Sequence, residues 1–134
     1  MSEHAGGAFD VKLAPETVTG RVADASLGQM SIDKTFHGDL KATSTGAMLT
    51  AGTAAKGSAD YVALEKVTGT LKARAGSFIL MHNATMTRGE GLLNVIVVPD
   101  SGTGALAGLT GKMTIRIEAG KHLYDFDYEL PLRK

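Results

Sequence analysis

Three side chains able to move or share a proton fall at strand-compatible positions near the middle of this 134-residue chain: Tyr61, Glu65 and, further on, His82. In a strand, side chains alternate strictly between two faces. Over residues 67–74, Thr68, Thr70, Lys72 and Arg74 mark a solvated face, so Val67, Leu71 and Ala73 point inward. Continuing that register backwards brings Glu65, Ala63 and Tyr61 to the inner side as well, and the returning segment supplies Phe78, Leu80, His82, Ala84 and Met86 as the facing row. A carboxylate enclosed by apolar groups has its pKa raised, which suits a general acid or base working near neutrality. Glu65 is therefore the candidate proton-transfer residue, with His82 to orient it or share its proton and Tyr61 to support developing charge. Phe36, Phe78, Tyr124 and Tyr128 are the candidate ligand contacts. Two other outcomes stay open: a bulge at Gly69 would reverse the parity and put Glu65 outside, or Glu65 and His82 would do no more than satisfy each other in a core.

Other motifs carry less. The segment SGTGALAGLTG at 101–111 has the glycines of a phosphate-binding loop, but a Walker loop needs glycine at 106 and Ser or Thr at 113, where Leu106 and Met113 stand. Its reading is a compact turn that lets one strand cross into the next. His4, His37, His82 and His122 lack the spacing by which one element assembles metal ligands, so no metal site is expected. Ser77 and Ser101 sit in turn contexts without a nucleophile-elbow setting. Asp125, Asp127 and Glu129 read as a solvated face.

The elements that must position these residues are short strands. Seventeen glycines punctuate segments in which apolar and polar residues alternate, as strands with one wet face do. Phe9, Val11 and Leu13 set one such row, and Phe36, Leu40 and Ala42 another. Met113, Ile115 and Ile117 set a third, and His122, Tyr124, Phe126 and Tyr128 a fourth. A hairpin joins 58–75 to 77–87, with its tight turn expected at Ala75 and Gly76. Residues 92–98 are apolar on both faces except for Asn94, which calls for cover on the outer side by a second subunit or by the terminal segments. The Ala-rich stretch 50–56 is interrupted by Gly52 and closed by Gly57, leaving room for at most one helical turn. About eight antiparallel strands without helices to cover a face most economically close on themselves. The expectation is an all-β, closed or nearly closed eight-stranded antiparallel barrel of allene oxide cyclase-like or lipocalin-like form, with a sandwich as the alternative. Residues 1–6 are expected to be a flexible N-terminus and 7–134 a single domain.

Composition narrows the partners. Fourteen basic residues balance fourteen acidic ones, so no broad footprint for nucleic acid or anionic lipid is expected. No run of about 18 apolar residues suggests a membrane span, and residues 1–7 do not read as a signal peptide. The absence of cysteine fits a reducing compartment, with cytoplasm favoured. The functional expectation is a barrel that binds a small apolar molecule, with cofactor-free isomerisation or cyclisation as the reaction if turnover occurs. The alternative is a packed structural barrel whose role is assembly, and a homo-oligomer is compatible with both.

Three blocks, KTFHGDLKATSTGAML (34–49), YVALEKVTGTLKARAGSFILMHNATM (61–86) and VVPDSGTGALAGLTGKMTI (97–115), together resemble a family of small bacterial proteins of unknown function grouped with the allene oxide cyclase barrel-like fold. The resemblance covers roughly residues 7–130. It implies an eight-stranded barrel with a central cavity but no established site residues, and any activity drawn from fold relatives rests on architecture alone. Ala73, Ala84 and Asp100 stand where the family pattern looks glycine-like; inward methyls at 73 and 84 would narrow the interior.

Overall fold

In a computed structural model, which describes residues 2–16 and 26–131, the chain forms strands β1 (Glu3–Glu16), β2 (Leu27–Phe36), β3 (Leu40–Gly52), β4 (Ala59–Leu71), β5 (Arg74–Thr87), β6 (Glu90–Val97), β7 (Thr110–Glu118) and β8 (Lys121–Glu129). Each pairs antiparallel with its sequence neighbour, and β1 pairs with β8, which closes the barrel. Closure pairs every strand on both sides, although β6 and β7 meet only at Val95↔Met113 and Ile96↔Lys112, and an all-antiparallel sheet without covering helices has to close in this way to limit its free edges. β1 starts at Glu3, ahead of the boundary expected at residue 7, because residues 3–6 find partners on β8 from Tyr128 to Asp125.

The two ends of the barrel differ. At one end lie the 36–40 and 71–74 turns and the 98–109 connection. Leu106, within a short 3-10 turn (Gly104–Leu106), and Leu109 are fully buried there. They join Phe36, Leu40, Leu71, Phe78, Phe126 and Tyr128 in a dense aromatic and aliphatic core. Phe78 stacks on Phe126 at 6.0 Å between ring centroids, and Phe126 on Tyr128 at 5.2 Å. The glycine-rich connection is thus the barrel's plug. Its amides are spent on the chain itself: Thr103 N donates to the Ser77 carbonyl, Leu106 N to Thr103 and Leu109 N to Leu106.

The parity read from 67–74 holds through β4, since pairing with β3 runs without interruption from Leu40↔Leu71 to Gly52↔Ala59. Gly69 is no bulge. It faces Ala42, and a Cβ there would lie 2.2 Å from the Lys41 carbonyl oxygen, so only glycine permits the approach. The β4–β5 turn, however, falls at Lys72 and Ala73 rather than at Ala75 and Gly76. Both turn residues have positive φ (46° and 70°), the backbone of the two-residue turn whose twist matches a hairpin. Ala75 and Gly76 instead pair with Thr70 and Gly69. Ala73 therefore lies in the exposed turn, not inside. Its glycine-like character, like that of Asp100 at φ 63°, reflects a left-handed backbone rather than the size of the interior.

Candidate functional site

At the level where the plug gives way to open space, four polar side chains from adjacent strands converge. Lys34 (β2) is paired directly with Ser44 (β3), Glu65 (β4) lies diagonal to Ser44, and His82 (β5) lies diagonal to Glu65. Lys34, Glu65 and His82 retain 8%, 1% and 4% of their exposure, so the group is buried, with Lys34 and His82 keeping a small face to the barrel interior. Lys34 Nζ donates to Glu65 Oε2 at 2.8 Å, His82 Nε2 lies 2.5 Å from the same oxygen, and Ser44 Oγ donates to Oε1 at 2.7 Å. Lys34 Nζ also stands 4.8 Å from the Phe9 ring centroid and 5.7 Å from that of Phe36, faces that attract a cation. Gly46 makes the space: a Cβ there would lie 2.7 Å from Glu65 Cα.

This environment reverses the titration expected for Glu65. Burial alone pushes the carboxyl up, as the sequence suggested. The hydrogen bond from His82, the Lys34 charge, the His82 charge and the Lys34 hydrogen bond outweigh it and hold the pKa at about 2. At neutral pH Glu65 is a carboxylate with both oxygens occupied, and so is not a general acid or base poised near neutrality.

Above the network the barrel holds a pocket of about 290 Å³ to which all eight strands contribute inward side chains. Its walls are apolar, including Leu13, Ile32, Met48, Leu93, Ile115 and Ile117. Its polar groups are Lys34, His82, Tyr61 and His122, and among the described residues no acidic side chain lines it. Glu65 supports this floor from behind. Tyr61 stands nearer the rim, where burial and then the Glu65 charge push its phenol pKa up. A wider groove of about 570 Å³ at the rim shares Tyr61 and Leu93 with the pocket and adds Ala84, Met86 and Leu92.

Of the residues singled out from sequence, the fold brings Glu65 and His82 into contact and sets Tyr61 on the same inner row. Phe36, Phe78, Tyr124 and Tyr128, expected as ligand contacts, do not line the pocket. All four are buried in the plugged half, where bulky rings fill the cross-section. Tyr124 braces the turn between β2 and β3, since its hydroxyl donates to the His37 carbonyl at 2.7 Å and accepts from Leu40 N at 3.0 Å. Lys34, Ser44 and His122 join the site without having been singled out. Their signal was the same parity, since Lys34 shares the row of Phe36, Ser44 that of Ala42 and His122 that of Tyr124. The remaining histidines are outside: His4 bonds Asp127, and His37 bonds Asp10.

Fold and site define a class: a closed eight-stranded antiparallel barrel, plugged at one end, with an apolar pocket that ends on a buried Lys–Glu–His–Ser network. The chain belongs to the DUF3224 family of proteins of unknown function, whose profile matches residues 5–128. A crystal structure of a DUF3224-family protein of unknown function from Shewanella oneidensis MR-1 is similar, with a TM-score of 0.90 and 47% identity over 98% of this chain and 100% of that one. Comparison with curated proteins found no match.

Proposed function

We propose that the protein binds a small, largely apolar molecule in the open half of the barrel and carries out cofactor-free isomerisation or cyclisation there, with the Glu65–His82 pair as the polar floor. The observation that carries this reading is the pocket itself: eight strands supply apolar walls, and the floor is the one place among the described residues where ionisable groups are buried together. Enclosed apolar sites with a few convergent polar groups are the usual form of small-molecule sites. The sequence resemblance to a family grouped with the allene oxide cyclase barrel-like fold supports this reading at the level of architecture alone, and the absence of cysteine supports a cytoplasmic setting. Among the described residues no helix is long and apolar enough to cross a membrane.

Titration with the neutral dye Nile red tests binding. Saturable fluorescence with one dye per chain is expected, together with a rise in melting temperature that grows with the logarithm of dye excess. Ala63→Phe, which fills the pocket from its wall, should abolish both. Dye binding that survives this substitution would place the ligand elsewhere, and no binding by the wild type would favour a packed barrel. That second reading, assembly of copies, draws on the outer face of β3 to β6, where Leu49, Val62, Leu64, Leu92 and Ile96 stay exposed.

A further inference from the structure

Glu65 accepts hydrogen bonds through both oxygens and stays ionised, so the atom His82 presents to it must carry the hydrogen: His82 Nε2 donates. A carboxylate has no proton to give, and in a neutral imidazole the other nitrogen is then bare and basic. Among the described residues nothing bonds His82 Nδ1, yet no fully buried side-chain nitrogen or oxygen lacks a partner. Nδ1 is therefore accessible, and the space His82 borders is the pocket. Beside it, Lys34 spends one N–H on the oxygen that His82 also uses, and its ammonium lines the same floor. A base and a cation thus stand side by side in a chamber that no acid among the described residues lines, each held by one carboxylate behind them.

We propose that His82 Nδ1 is the catalytic base and Lys34 Nζ the oxyanion partner for a ketone that has a hydrogen on the carbon next to its carbonyl and an apolar substituent in the pocket. This deepens the binding reading above and rests on it. Nδ1 takes the proton from that carbon, and the C–H electron pair becomes a carbon–carbon double bond. The carbonyl π pair moves to oxygen, where Lys34 holds the charge. The imidazolium, steadied by Glu65, then returns the proton. In a ketone with a neighbouring double bond, return to the far carbon of the conjugated enolate shifts that bond. No atom is gained or lost overall, and no oxidant is needed. Charge is conserved within the site, since the imidazolium faces Glu65 as the enolate forms against Lys34. Glu65 acts through His82 and is a positioning residue, as a buried carboxylate behind a histidine base commonly is.

Phenylacetone and methyl hexyl ketone in heavy water test this by proton NMR, which follows loss of the hydrogens next to the carbonyl; binding is followed separately by displacement of Nile red. Exchange well above the buffer rate is expected for the bound ketones. It should fall at least about 100-fold in His82→Ala, compared at ketone concentrations that fully displace the dye from each protein, and recover in proportion to added imidazole. Lys34→Met should lose exchange and Lys34→Arg retain part of it. If His82→Ala does not fold, nitrogen-15 spectra of the wild type decide: His82 should show a protonated Nε2 and a bare Nδ1 at pH about 8. The opposite tautomer, or ketones that displace the dye without exchange above buffer, would overturn the assignment and leave the binding barrel standing. Failure of Nile red and both ketones to bind would remove the binding reading and this one with it.

Discussion

Lysine, glutamate and histidine each lose hydration when buried, and Lys34, Glu65 and His82 are held inside only because one carboxylate accepts hydrogens from Lys34, His82 and Ser44 together. Pairs of this kind add little net stability compared with apolar packing, but deleting one member strands the others. Acid should expose this arrangement directly. Glu65 carries fewer protons folded, with a pKa of about 2, than unfolded, near its ordinary 4.5. Its stabilising contribution is therefore complete above that ordinary value and drains away as pH falls towards 2. The size is about 3 kcal/mol, from the linkage between pKa shift and stability. Urea unfolding at a series of pH values should show the wild type losing that amount more than Glu65→Gln between pH about 5 and 2, although the variant starts less stable at neutrality. Parallel profiles for the two proteins would mean that Glu65 is not the paired carboxylate described. Why Lys34 is hard to pick out in the sequence is also a residue-scale matter. Its parity is legible, but a lysine flanked by Asp33 and Thr35 reads as solvated because lysine is almost never buried unpaired, and its partner is two strands away.

At the scale of elements, the β4–β5 hairpin sets the site because its register places Ala63 opposite His82 and Glu65 opposite Leu80. That register is fixed by a two-residue turn in which Lys72 and Ala73 both adopt positive φ, a conformation that costs a residue with a Cβ about 1–2 kcal/mol. Ala73→Gly should relieve part of this strain and stabilise the barrel by about 1 kcal/mol, seen as a raised urea midpoint with an unchanged slope. A lowered midpoint would contradict the turn assignment. The sequence pointed to Ala75 and Gly76 because alanine-glycine looks like a turn dipeptide. What decided otherwise was the close pairing of Gly69 with Gly76 inside the sheet, where a Cβ on Gly76 would lie 2.1 Å from the Thr103 carbonyl oxygen. The glycine serves contact with the plug rather than reversal of the chain.

Across the whole molecule, the barrel is asymmetric inside and out. Inside, large rings fill one half and small or aliphatic residues leave the other half open. Outside, cross-strand rows such as Ala47–Leu64–Met81–Ile96 and Leu49–Val62–Asn83–Asn94 carry no charge. Leu49, Val62, Leu64 and Ile96 among them remain exposed, and a groove of about 540 Å³ runs over Ala47, Leu49, Val62, Leu64 and Met81. The described residues leave Leu92 and Ile96 uncovered, so the outer cover anticipated for 92–98 is not supplied from within them. Exposed apolar surface of this continuity marks association sites, and an uncharged sheet face is compatible with its own copy. Analytical ultracentrifugation should therefore detect a reversible oligomer that Leu64→Lys dissociates without unfolding the barrel. A wild-type monomer at high concentration would remove this reading and leave the interior site unaffected.

The strands, their inner and outer faces and hence the enclosure of Glu65 and His82 can all be read from residue order alone, because a period of two survives any choice of neighbours. The closed architecture is legible in the same way, since so many one-sided strands without helices have no other economical means of covering themselves. Which polar groups meet is not legible, and it took the folded barrel to settle it. Lys34, Ser44, Glu65 and His82 come together through the diagonal stagger between four strands, and stagger is a property of closure rather than of any one segment. The charge state of Glu65 followed from that meeting: burial was visible in the pattern, whereas the cation and hydrogen bonds that outweigh it come from elsewhere in the barrel.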